Sequence, residues 1–174
     1  MPKFKVLELV ARVPYQAWEH VAYIAMTHTY SKPGFARRVF EFVREARAQQ
    51  DNEQWHLLIL EELVQKSGVG ENYLLARVLP QLAAFFYYHT AWILYVVDPK
   101  ESYELNADFE DHAEHEYMEF VRENPELETR PFVSEFEADY GKFASEADLF
   151  RRIGLDERMH KLESVARIES ARFS

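Results

Sequence analysis

Four clusters of helix-stopping residues cut this chain into long uninterrupted stretches: Ser31-Lys32-Pro33-Gly34, Ser67-Gly68-Val69-Gly70, Asp98-Pro99 and Asn124-Pro125. Their spacing limits the fold more than any other feature, because few turns remain to connect a sheet. The stretches between them are rich in Leu, Ala, Glu and Arg, and the whole chain holds only five glycines, which favours helix. The spacing predicts helices from about Lys5 to Tyr30, Phe35 to Lys66, Asn72 to Val97, Glu101 to Glu123 and Leu155 to Arg172. Pro14 kinks or breaks the first of these. A weaker stretch with Pro131 and Gly141 leads into the last. The expectation is an all-α protein with one domain spanning residues 1–174.

The chain contains no cysteine, so disulfides, thiolate metal sites and a thiol nucleophile are excluded. Any metal must be held by Glu, Asp and His, a donor set that suits iron or manganese better than structural zinc. A formal net charge of −10 argues against a nucleic-acid partner, which needs a basic face for phosphates. Met1-Pro2-Lys3 runs into mixed polar and apolar residues, with no continuous apolar stretch of a signal peptide. The expected place is the cytoplasm, either soluble or as a peripheral, monotopic protein on the cytoplasmic side of a bacterial membrane.

Two of the seven histidines have a glutamate three positions before them, in Glu53-Gln-Trp-His56 and Glu157-Arg-Met-His160. Residues at i and i+3 share a helix face, so each pair can reach one metal. With 23 glutamates in 174 residues, about one such pair arises by chance, so the pairs alone decide little. Their placement says more. A di-iron carboxylate bundle takes one glutamate from each of two helices and a Glu-x-x-His from each of the other two. The order Glu8, Glu53/His56, Glu110, Glu157/His160 fits that template on four predicted helices. Glu8 to Glu110 is 102 residues and Glu53 to Glu157 is 104, so the halves read as a pseudo-repeat. Four carboxylates also balance two divalent cations. The architecture implied is a ferritin-like four-helix bundle with an additional apolar helix between the two halves.

The segments Leu7-Glu-Leu-Val-Ala-Arg-Val-Pro-Tyr15, Asp51-Asn-Glu-Gln-Trp-His56, Phe109-Glu-Asp-His-Ala-Glu-His-Glu-Tyr117 and Asp156-Glu-Arg-Met-His160 resemble the alternative oxidase family. They are most similar to its plastid-terminal-oxidase and bacterial branches. The resemblance runs in order from about Leu7 to His160 and includes the aromatic run Phe85-Phe-Tyr-Tyr88. It implies a quinol oxidase that couples ubiquinol or plastoquinol oxidation to four-electron reduction of O2 to water, without proton pumping. It also implies two iron ions, with manganese as the alternative. Glu53 and Glu157 would bridge them, Glu8 and Glu110 would be terminal, and His56 and His160 would complete the set. Asn52 and Asp156 match positions behind the ligands, where hydrogen bonds orient them. Tyr117 matches the family's essential tyrosine. Seven residues beyond Glu110, it lies on the same helix face about 10 Å further along. Leu7, Phe109 and Ala113 are the expected quinol-pocket residues, and a homodimer is the expected assembly.

The family's long amphipathic helix before the first ligand has no counterpart here, since seven residues precede Glu8. On that ground half of the expected membrane surface is missing, and Lys3 is the loose match for the basic residue near the quinol pocket. The second reading is therefore a soluble di-iron oxygenase or oxidase acting on a small organic substrate. A third is a ferritin-like iron-storage protein. The twenty residues from Val78 to Val97 carry no formal charge if His89 is neutral. They read as a helix of 72–97 buried in the bundle or a dimer interface, lying in the membrane interface, or spanning the bilayer. His112 and His115, at i+2 and i+5 from Glu110, point away from its face. His28 and His89 read as hydrogen-bonded core or interface groups, and Trp18, Trp55 and Trp92 as packing residues rather than redox relays.

Overall fold

The computed structural model describes residues 2–170 and 173, and among these it is helical with no strand. Six α-helices follow in order: α1 (Pro2–Ala11), α2 (Val13–Thr29), α3 (Pro33–Ser67), α4 (Leu79–Val97), α5 (Pro99–Glu123) and α6 (Glu146–Glu169). The expected interruption at Pro14 falls at Arg12, between α1 and α2. Proline lacks the N–H that would bond the carbonyl of Val10, and its ring crowds that carbonyl, so the ladder restarts there. The α1–α2 rod, α3, α5 and α6 form the bundle, with α3 against the rod and α6 along α5. The additional helix α4 packs on α2 and α5, as the apolar helix between the halves.

The ends follow the punctuation. Gly68 closes α3 in the left-handed conformation at φ 66°, which costs glycine nothing. Asp98 caps α5 by accepting from the Lys100 amide at 3.1 Å, with Pro99 in the first helical position. A π-helical turn over Leu74–Val78 precedes α4. Asn72 starts that turn by accepting from the Leu74 and Leu75 amides.

One expectation needs correction. The last helix begins at Glu146, about nine residues before Leu155. Ser145 caps it by accepting from the Asp148 amide at 3.1 Å, and Glu146 and Asp148 favour the positive end of the helix dipole. Gly154 did not end it. Its bare Cα lets α6 approach α5, where a Cβ would meet the Tyr117 Cβ at 3.2 Å and the Met118 Cε at 3.0 Å. The expected end at Arg172 lies outside the described residues.

Two apolar clusters fill the bundle. One holds Phe4, Ile59, Leu60, Leu63, Tyr117, Val121, Phe150 and Ile153; the other holds Tyr15, Trp18, Val39, Phe42, Val43, Tyr95 and Tyr103. Along the α1–α2 rod, α3 and α5 the candidate ligands fall between residues of these two clusters, and on α6 they fall between the first cluster and Ile168, which packs against the second. The polar centre is thus walled off from water at both ends.

Candidate metal centre

Glu8, Glu53, His56, Glu110, Glu157 and His160 come together inside the bundle from four helical segments, all buried. They form two overlapping groups. One atom each from Glu8, Glu53, His56 and Glu157 lies within 4.8 Å of the others, as does one atom each from Glu53, Glu110, Glu157 and His160. Glu53 and Glu157 belong to both. Each histidine presents Nδ1: that of His56 lies 3.2 Å from Glu8 Oε2 and 3.1 Å from Glu157 Oε1, and that of His160 lies 2.6 Å from Glu53 Oε1.

Burying four carboxylates without a cation is costly, and the electrostatics reflect this. Burial and then the neighbouring Glu157 and Glu53 push the Glu8 and Glu110 carboxyls well above the usual range. Burial also acts upward on Glu53, but the neighbouring imidazoles of His160 and His56 outweigh it and hold Glu53 below that range. Burial acts downward on both imidazoles, yet surrounding acidic groups raise them above the ordinary histidine value.

The donor set fits a pair of divalent cations. Both oxygens of Glu53, both of Glu157 and Oε2 of Glu110 are buried without a hydrogen-bond donor, as is Nδ1 of His160. Buried polar atoms normally find partners. Six such orphans converging on one point are what a metal pair would satisfy. On the other two carboxylates, Glu110 Oε1 accepts from the Tyr15 hydroxyl at 2.7 Å, and Glu8 Oε1 accepts from Tyr117.

The family model for alternative oxidase matches residues 1–167. The chain belongs to the alternative oxidase family. A relative described as ubiquinol oxidase 4, chloroplastic/chromoplastic, from Arabidopsis thaliana is 35% identical over 124 residues, covering 71% of this chain and 32% of the relative. The chain therefore spans about a third of the length of that curated alternative oxidase relative. No solved structure matches the chain significantly.

Behind the candidate ligands of this alternative oxidase chain lie Asp156, Tyr140 and Arg152. Asp156 Oδ2 sits 3.5 Å from His56 Nε2 and accepts from the Tyr140 hydroxyl at 2.7 Å, while Arg152 holds Oδ1 at 2.8 Å. Burial would raise Asp156, but His56, Tyr140 and Arg152 together keep it below the usual range. Asn52 is adjacent in sequence to Glu53, and its Oδ1 is buried without a donor. Tyr117 is fully buried and meets Glu8.

Sequence reasoning missed three contributors. Tyr15 repeats the spacing of seven that singled out Tyr117, counted from Glu8 instead of Glu110, so a signal for it existed. Tyr140 and Arg152 carry none, because Tyr140 lies in an irregular segment.

Leu7 and Phe109 are half-buried, Ala113 is fully buried, and Phe109 packs its ring 6.1 Å from Tyr87. An open cleft of about 270 Å³ near the start of α1 is lined by Pro2, Lys3, Val6, Leu75 and Ala76, without any of the three. At its edge Lys3 pairs with Glu116 at 2.5 Å.

Other histidines fall mostly as expected. His112 and His115 are exposed and line an open surface groove between α5 and α6. Of the two readings for His28 and His89, the core one is corrected, since both are exposed in this chain, and His89 Nδ1 meets the Phe85 carbonyl at 2.7 Å. Trp18 is a buried packing residue, while Trp55 and Trp92 are only half-buried. Among the described residues no helix is long and apolar enough to cross a membrane, which removes the spanning reading of 78–97. Burial within this chain is corrected too: Leu79, Leu82, Phe85, Phe86 and Ile93 are exposed.

Proposed function

We propose that this chain is a di-iron quinol oxidase, with Glu53 and Glu157 bridging, Glu8 and Glu110 terminal, and His56 and His160 completing the ligand set. The observation that carries this reading is the sharing of Glu53 and Glu157 between two buried four-residue groups whose inner atoms lack donors. Two quinols supply four electrons and four protons to one O2, giving two quinones and two waters. The metal pair, when bound, supplies an electron store and open coordination positions for O2.

The chain's own residues orient and protect. Tyr117 and Tyr15 each occupy one oxygen of a terminal glutamate, leaving the other oxygen for the metal. Asp156, held by Tyr140 and Arg152, fixes the ring of His56 so that Nδ1 faces inward. The Tyr117 hydroxyl holds a proton at Glu8 Oε1, where proton and electron transfer from substrate can be coupled. Phe4, Phe120 and Phe150 pack around Tyr117 and keep bulk water away.

The substrate reaches this centre from the side of α1 and α5 bearing Leu7, Phe109 and Ala113. The exposed apolar face from Leu74 to Val97 supports a peripheral contact with the membrane interface, where quinols dissolve. The assembly proposed is a homodimer. The deciding experiment reduces iron-loaded protein anaerobically with quinol, admits a pulse of O2, and follows both O2 uptake and quinone formation. Two quinones per O2 is the expected result. Absence of uptake with ubiquinol and plastoquinol alike removes the reading.

A further inference from the structure

Tyr15 and Tyr117 stand in the same relation to the centre. Each lies seven residues after a terminal glutamate of its own half, and each donates its hydroxyl to the glutamate of the other half. Their surroundings differ. Tyr117 stacks on Phe4 at 4.4 Å and on Phe150 at 6.2 Å, rings that give up electrons reluctantly. Tyr15 has Trp18 edge-on at 5.3 Å, and Trp18 in turn lies 4.7 Å from Tyr103 and 5.9 Å from Tyr95. All four rings are no more than 2% exposed. Phenol and indole are the side chains that most readily give up a single electron in a protein without cysteine. Here they touch in series, starting at a ligand. Ordinary packing explains the contacts but not why the ring at the centre keeps a hydroxyl aimed at Glu110. Nor does it explain why Asn106 Nδ2 donates to that same hydroxyl oxygen at 3.1 Å and braces it against Ser164.

We propose that Tyr15 is a second redox-active tyrosine of the centre, and that Trp18 takes over its oxidising equivalent when reductant runs short. The proposal rests on the O2 chemistry proposed above. Tyr15 gives one electron to the O2-oxidised centre and its phenolic proton to Glu110 Oε1, along the existing hydrogen bond. Trp18 then gives one electron to the tyrosyl radical, and the proton returns from Glu110 to the Tyr15 oxygen. The indole remains a radical cation with its N–H donated to Ser102 Oγ at 2.8 Å. One quinol restores two such indoles, giving one electron to each and two protons to solvent as it becomes quinone. The device spares the metal ligands from oxidation by passing the damage to a replaceable electron.

The test uses the full chain, iron-loaded and reduced, exposed to O2 without quinol. Freeze-quenched electron paramagnetic resonance with ring-deuterated tyrosine reads the radical, and peptide mass spectrometry reads oxygen addition at Trp18. A tyrosyl signal is expected to persist in Tyr117→Phe and to vanish when Tyr15→Phe is added. Oxygen addition at Trp18 is expected in the parent protein, lost in Tyr15→Phe and suppressed by excess quinol. Trp18→Phe should prolong the tyrosyl signal. Unchanged Trp18 oxidation in a Tyr15→Phe protein that holds iron and consumes O2 overturns the proposal, as does loss of every tyrosyl signal in Tyr117→Phe alone. If Tyr15→Phe fails to fold or to hold iron, Trp18→Phe decides, and an unchanged signal lifetime there overturns it. A parent protein that holds iron and consumes O2 separates these failures from failure of the proposed function.

Discussion

His160 lies closer to the glutamate of the other half than to the one on its own helix turn: Nδ1 is 2.6 Å from Glu53 Oε1 and 3.8 Å from Glu157 Oε2. His56 does the same, at 3.1 Å from Glu157 and 3.7 Å from Glu53. The Glu-x-x-His motif is thus split between partners. Each histidine reads the opposite helix, so α3 and α6 are tied through the centre rather than each building a private site.

This crossing predicts an uneven response to ligand removal. Glu53→Ala or Glu157→Ala strips both groups of a shared member, and iron content should fall close to none per chain. Glu8→Ala or Glu110→Ala touches one group only, so a larger residue of bound iron should remain. Metal analysis of the four variants decides, and equal losses in all four would refute the sharing.

Protonation supplies a second prediction. In the metal-free protein the raised Glu8 and Glu110 carboxyls stabilise the fold while they hold their protons. That stability is complete below the ordinary glutamate value of 4.5 and is lost as pH rises through their higher folded values. The raised histidines act in the same sense above 6.5. Glu53 acts oppositely, losing its contribution in acid. Above 6.5 the four raised groups act without opposition from Glu53, whose window lies in acid, so metal-free protein should melt at lower temperature as pH climbs above that value. Iron loading should reverse the trend and release protons, because ligands bind metal deprotonated. Scanning calorimetry and a proton-release titration read both.

A third prediction concerns the start of α1. Lys5 is only 3% exposed and reaches Glu61 at 2.9 Å and Glu71 at 2.5 Å, tying α1 to α3 and to the linker before α4. Burial would raise Glu61, but Lys5, Gln65 and Arg77 hold it down at about 2. Its contribution is present above 4.5 and fades as pH falls toward 2. Lys5→Ala leaves two acids facing each other and should cost about 1–3 kcal/mol in urea unfolding at neutral pH. Most of that difference should disappear in acid.

Phe85 and Phe86 on α4 are 57% and 67% exposed. Replacing both with serine removes little packing, so stability should stay within about 0.5 kcal/mol of the parent. Sedimentation with liposomes should fall to background if this face meets the membrane interface. Retained binding would show that another surface carries the contact.

The helices were legible because their stops are chemical: proline denies an N–H and Gly68 takes a left-handed turn that other residues avoid. The pairs Glu53/His56 and Glu157/His160 stood out as candidate ligands because spacing on a helix fixes a shared face, while Glu8 and Glu110 stood out only through the di-iron template and the family resemblance. The early start of α6 was missed although Ser145 and Asp148 carried a capping signal, and Gly154 inside the helix serves close approach to Tyr117. Tyr140 stayed hidden because only tertiary folding brings an irregular segment over Asp156. The crossing of His56 and His160 between partners was beyond sequence, since spacing gives a face but not the relative height of two helices.

Tyr117→Phe separates structure from chemistry at the centre. The phenyl ring keeps the stacking with Phe4, so the core around it survives, while the donor to Glu8 Oε1 is lost. Iron content should match the parent, because Glu8 still offers its other oxygen. Melting should shift by no more than the loss of one hydrogen bond, about 1 kcal/mol. Turnover with quinol should nevertheless fall by roughly 10² or more, the scale of a lost acid–base group. If turnover holds while the hydroxyl is gone, Tyr117 serves packing alone, and protons reach the centre by a route that avoids Glu8.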